Sequence, residues 1–184
     1  VSLHDDARAV LGAWTAPDVR QDELRRSYLA HLDEHEDAMW RTCRPGHVTA
    51  SSAVISADGS RVALTLHRAL GMWLQTGGHC EADDVSLAAA ALREAEEETG
   101  IRGLELLPEP VSLDSHAVPC GGGSVHFDVR YAVLAPADAV LVRDPDESTD
   151  LAWFPVDAVP DPSDDACRDL VRQAAAAVAA RRGR

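Results

Sequence analysis

Three glutamates share one face of the segment Arg93-Glu94-Ala95-Glu96-Glu97-Glu98-Thr99-Gly100. At about 100° per residue on a helix, Glu94, Glu97 and Glu98 point the same way. Ala88, Leu92, Ala95 and Thr99 lie on another side and suit burial. The arrangement is poor for stability alone. Glu94 and Glu98 are like charges at i,i+4, unfavourable by roughly 0.2–0.5 kcal/mol. Glu96, Glu97 and Glu98 also occupy the last turn, where the helix dipole prefers cations. A bound divalent cation relieves both problems, and Mg²⁺ is the natural choice because it takes oxygen ligands and bridges carboxylates to phosphate oxygens. The competing reading is a solvated acidic face. Upstream, Gly77-Gly78 frees the backbone to turn and approach a ligand, which favours the metal. Arg93, four residues before Glu97, is spaced for an ion pair.

Other residues could take part. His126, Asp128 and Arg130 alternate along a strand-like run and share a face; they either meet substrate or form the polar side of a half-buried strand. His79 and Cys80 with His116 and Cys120 raise a zinc site, but H-x3-C is a loose spacing and adjacent His79-Cys80 is awkward for one tetrahedral ion. His47 and His67 read as strand residues near a pocket mouth rather than as ligands. Trp73 and Trp153 could stack on a base or sit in the core. Arg44 and Arg68 could meet phosphate or lie on the surface.

The elements that would position these residues follow from periodicity and punctuation. Helical spacing marks Asp5–Trp14 and Gln21–Trp40, separated at Pro17. Strands are expected at His47–Ser56 and Arg61–His67, with Asp58-Gly59 as the hairpin signal. A short strand, Met72–Gln75, runs into Gly77-Gly78. Ser86–Thr99 is a helix that Gly100 stops. Leu104–Leu107, Val125–Leu134 and Leu151–Phe154 read as extended, and Asp164–Ala180 as a closing helix. Pro108–Pro110 and Pro119–Gly123 read as loops. Strands alternating irregularly with a few helices predict an α/β/α arrangement around a mixed sheet. The expected organisation is a helical N-terminal stretch, 1–44, packed on a domain spanning 45–184, as one structural unit.

The 184 residues suffice for one domain with a real core. With 17 basic residues (all Arg) against 31 acidic ones, the net charge is −14, which disfavours a nucleic-acid polymer as partner. Small phosphate substrates remain accessible through bridging cations. No apolar run approaches the roughly 20 residues of a membrane span, and the acidic N-terminus lacks a secretory pattern; the expectation is a cytoplasmic protein with reduced thiols at Cys43, Cys80, Cys120 and Cys167.

The segment Gly77–Ile101 resembles a Nudix box, G-x5-E-x7-R-E-U-x-E-E-x-G-U with U apolar. Arg93, Glu94, Ala95, Glu97, Glu98, Gly100 and Ile101 match its second half in full. In the first half, the expected Gly falls on His79 and the expected Glu on Val85, so the loop is one residue longer and Asp84 is the nearest stand-in acid. Trp73–Glu81, Asp114–His116, His126–Tyr131 and Glu147–Phe154 extend the resemblance to a bacterial, notably actinobacterial, Nudix subgroup with a helical N-terminal extension. The resemblance implies a pyrophosphohydrolase that uses Mg²⁺ or Mn²⁺ to cleave a nucleoside diphosphate linked to another group. It implies metal ligands at Glu97 and Glu98, with Glu94 and a carbonyl of Gly77 or Gly78. Arg93 would orient Glu97, and the base would be a box glutamate or Glu147. His126, Asp128, Arg130, His79 and Trp73 would face substrate, with specificity in Asp114–Ser124 and Ala135–Thr149. The N-terminal helices would cover the sheet or form a homodimer interface. Two alternatives share the fold: an isomerase of the isopentenyl diphosphate type, with Cys80 as its thiol, and a nucleotide sensor that binds without cleaving.

Overall fold

Runs of β-branched residues between Gly and Pro build the centre of the molecule. The computed structural model describes residues 2–118, 124–146 and 148–183. In chain order the elements are α1 (Leu3–Ala13), α2 (Val19–Glu34), β1 (His47–Ile55), β2 (Arg61–His67), β3 (Trp73–Leu74), β4 (Thr76–His79), α3 (Leu87–Thr99), β5 (Glu105–Leu106), β6 (Ser112–Val118), β7 (Ser124–Leu134), β8 (Ser148–Pro155) and α4 (Asp165–Arg182).

The eight strands form one mixed sheet in which β1 and β7 run parallel, from His47↔His126 to Ile55↔Leu134. Every other pairing is antiparallel. The other edge of β1 is divided. Its far end, Val54 and Ile55, pairs with β2. Its near end, Thr49 to Ser52, pairs with β4. β2 turns away to pair with β3 and β8, and a fork opens between β2 and β4.

Alternation along the strands sends the two faces to different partners. Val48, Ala50, Val129 and Tyr131 pack with Leu87, Ala90 and Ala91 of α3 and with Leu11, Tyr28 and Leu32 of α1 and α2. On the other face, Ala53, Ile55 and Ala132 meet Leu170, Val171, Ala174 and Val178 of α4. The result is the expected α/β/α sandwich. α4 covers only the far half of its face. The near half carries polar side chains: His47, Thr49 and Ser51 of β1, and His126, Asp128 and Arg130 opposite them on β7.

Three expectations need correction. α2 ends at Glu34, not Trp40. The chain then makes turns that bring Ala38 and Met39 fully into the core, and the Ala38 carbonyl accepts from the Val48 amide at 2.8 Å, so the helix cannot continue. Gly77-Gly78 lies in strand β4 rather than in a turn. Ser112–Val118 is a strand, so the stretch Asp114–Ser124, expected to set specificity as a loop, begins inside β6. Among the described residues, no helix is long and apolar enough to cross a membrane.

Candidate active site

α3 is anchored at both ends. Ser86 caps its start, accepting from the Ala89 amide at 3.0 Å. Asp6 of α1 takes a further free N-terminal amide, that of Leu87, at 2.8 Å. Gly100 closes the helix in the left-handed conformation, φ 66°, which glycine adopts without a Cβ penalty. Leu87, Ala90, Ala91 and Ala95 are buried against the sheet, and the helix lays its acidic side along the open edge of β4.

Arg93 organises that edge. Its Nε and Nη2 donate to Asp84 at 3.1 and 3.0 Å. Nη1 donates to Glu94 at 2.9 Å and to Glu97 at 3.0 Å, and Nη2 also reaches the His79 carbonyl at 2.9 Å. These contacts use all five guanidinium N–H groups. The irregular first half of the motif is thereby explained. Val85, where the acid was expected, is 77 % exposed. Asp84 holds Arg93 instead, while its own carboxylate accepts from the Glu81 amide. The longer loop moves the acid by one position and keeps the ion pair.

Glu98 sits in the fork of the sheet. The Gly77 amide donates to its Oε1 at 2.7 Å and the Thr65 hydroxyl of β2 to its Oε2 at 3.2 Å. Glu94 lies against Gly78 so closely that a Cβ there would come within 2.7–2.8 Å of its carboxylate. Glu97 is more exposed and held only from the Arg93 side among the described contacts. Glu94, Glu97 and Glu98 thus gather around β4. Glu147 lies outside the described residues.

Behind β4, on the polar face, Asp128 is the hub. It accepts from Thr49 at 3.0 Å, Ser51 at 2.6 Å and Arg130 at 2.8 Å. Arg130 continues to Asp114 at 3.1 Å and to the Ala166 carbonyl of α4 at 3.0 Å. Asp114 in turn holds His116 at 2.8 Å, which raises the imidazole pKa. Asp128 and Arg130 are buried and engaged with each other. Trp73 packs edge-on against Phe154 in the α4-side cluster, ring centroids 4.7 Å apart.

His79 meets His47 and His126 on this face. Ring centroids are 5.0 Å apart for His47–His79, 4.8 Å for His47–His126 and 5.0 Å for His79–His126. One ring nitrogen from each lies within 4.8 Å of the other two, a grouping able to hold a metal ion. Burial keeps all three imidazoles neutral, with His79 lowered to about 3 and His126 to about 4. His47 was read as a strand residue rather than a ligand; its alternation with Thr49 and Ser51 hid it, because nothing local shows that β4 and β7 bring two more imidazoles alongside. Cys80 is not part of the trio. It is buried, and desolvation pushes its thiol up to about 12. Cys120, the other thiol of the zinc reading, lies outside the described residues.

Fold and side chains together define an α/β/α protein with a glutamate-bearing helix laid beside a Gly-Gly strand. The NUDIX domain family model matches residues 46–174, and the chain belongs to the Nudix family, whose fold and site support phosphoanhydride hydrolysis in general. Solved structures agree on the fold. A NUDIX-family hydrolase from Clostridium perfringens is 20% identical with a TM-score of 0.57, over 73% of this chain and 97% of that one. The NUDIX domain of Shewanella oneidensis NrtR, complexed with ADP ribose, is 22% identical with a TM-score of 0.54, over 72% and 88%. A Caenorhabditis elegans Ap4A hydrolase in a binary complex is 18% identical with a TM-score of 0.52, over 72% and 98%. A search of curated protein sequences gave no match.

Proposed function

We propose that this protein hydrolyses the pyrophosphate bond of a nucleoside diphosphate linked to another group, with water attacking phosphorus. The observation that carries the reading is the Arg93 clamp, which holds Glu94 and Glu97 beside the Gly77-Gly78 strand on which Glu98 is seated. The residues suit Mg²⁺ or Mn²⁺: the donor set is all oxygen, and only glycine leaves room for Glu94 against β4. Glu97 and Glu98 would hold the ion, with Glu94 and a glycine carbonyl. In an antiparallel pair, a residue whose N–H points away from its partner turns its C=O the same way. The Gly77 amide points to Glu98, so the Gly77 carbonyl, rather than that of Gly78, lies on the carboxylate side. When bound, the ion supplies a Lewis acid that neutralises the diphosphate and eases deprotonation of water.

The chain's own groups do the rest. Arg93 fixes Glu97, Thr65 and Gly77 fix Glu98, and a box glutamate or Glu147 takes the proton from water. Trp73 is the proposed substrate contact; His126 and His79 lie on the sheet face turned away from Glu94, which Asp128 and Arg130 hold in shape. The ADP ribose held by the NrtR domain and the Ap4A for which the nematode hydrolase is named favour a nucleotide substrate. The isomerase alternative loses ground because Cys80 is buried with a raised pKa, and the sensor alternative because all three box glutamates are present. The test is a screen of sugar nucleotides, ADP-ribose, dinucleoside polyphosphates and nucleoside triphosphates with Mg²⁺ or Mn²⁺. Hydrolysis with release of a monophosphate is expected; binding without product would favour the sensor.

A further inference from the structure

We infer that His47, His79 and His126 form a second metal site, selective for a transition-metal dication of the zinc class and separate from the carboxylate site. The three residues come from three adjacent strands, β1, β4 and β7, so their backbones are fixed by the sheet. His47 is 2 % exposed, and neither of its ring nitrogens has a hydrogen-bond partner. Nε2 of His79 is likewise buried and unpartnered. A neutral imidazole carries one N–H and one lone pair, and a buried lone pair without a partner is unfavourable. Stacking of the rings does not satisfy it, whereas a metal ion takes up one lone pair from each ring.

The donor type sets the ion. Three neutral imidazoles with a fourth position for water match zinc and its neighbours, whereas Mg²⁺ prefers oxygen. The separation from the carboxylates is topological. His79 is on the face of β4 that carries Thr49 and Ser51; Glu94 lies against Gly78, whose substituent direction is opposite. His116, 5.4 Å from His126 between ring centroids, is tied to Asp114 and stays outside the trio. Arg41 donates to Nδ1 of His79 at 2.6 Å. Ligation through Nε2 moves the imidazole proton to Nδ1, so the exposed Arg41 side chain must release that contact.

The test is titration of the chelator-treated protein with Co²⁺ alone, followed by its visible absorption. One equivalent is expected to give the intense bands of a four-coordinate ion, retained in excess Mg²⁺ and removed by Zn²⁺. His79→Gln and His126→Asn should each weaken binding at least about tenfold, while Glu98→Gln leaves it within about twofold. Because the wild-type spectrum is itself decisive, a variant that misfolds does not blunt the test. Absence of four-coordinate bands in the wild type, their loss in a Glu98→Gln variant that keeps the wild-type circular dichroism spectrum, or their persistence in both histidine variants overturns the inference. Hydrolysis assays read the carboxylate site independently, so either reading can fail alone.

Discussion

Arg93 meets five acceptors with a rigid planar fork, and Lys cannot reproduce that geometry. Arg93→Lys should therefore behave like Arg93→Ala: activity falls about 10–100-fold as the metal-binding acids lose their orientation, with KM for the metal rising more than KM for substrate. Steady-state kinetics over a Mg²⁺ range checks this; a Lys variant with wild-type metal dependence contradicts it. Asp84→Asn should show a weaker version of the same defect, since Asp84 holds Arg93 from the other side. The three glutamates and Arg93 were legible in the sequence because they lie within six residues on one helix. Asp84 was visible only as a displaced stand-in, and its role became clear once the loop placed it on Arg93.

At the scale of elements, the strand-forming runs and α3 were legible from periodicity and capping signals. The strands β4 and β6 were not. Gly-Gly has no strand propensity, and only pairing with β1 and the need to pass close to Glu94 hold it extended. Ser112–Val118 mixes polar residues with few β-branched ones and is recruited by its partner β7. Gly78→Ala tests the close approach. The added Cβ meets only the carboxylate end of Glu94, which can swing aside, so little stability is lost while activity falls at least about tenfold; a fully active Ala variant would contradict the close approach. The N-terminal helices also act on α3. Asp6→Ala removes a cap from the helix and should destabilise the protein by about 0.5–2 kcal/mol in urea unfolding, with activity preserved once folded.

For the whole molecule, buried histidines set the pH response. His47, His79 and His126 are lowered, chiefly by desolvation, and so is His31. The unfolded chain protonates these groups near pH 6.5, before the native state does, so stability falls as the pH drops from about 6.5 towards 4. His116, raised by its bond to Asp114, works in the opposite sense and adds stability below pH 6.5 that is lost as the pH rises through its folded value. Four lowered groups against one give a net loss on acidification. In chelator-treated protein, Tm should drop between pH 7 and 5 and the drop should be shallower in His79→Gln; a flat or rising Tm would count against it.

The most direct measurement is hydrolysis by Glu98→Gln beside the wild type, on whichever nucleotide the wild type cleaves with Mg²⁺ or Mn²⁺. Glutamine can keep the contact to the Gly77 amide but removes the charge. Turnover should fall at least about 100-fold, as for loss of a group that stabilises the transition state electrostatically, with unfolding stability unchanged. Turnover equal to wild type would contradict the carboxylate site.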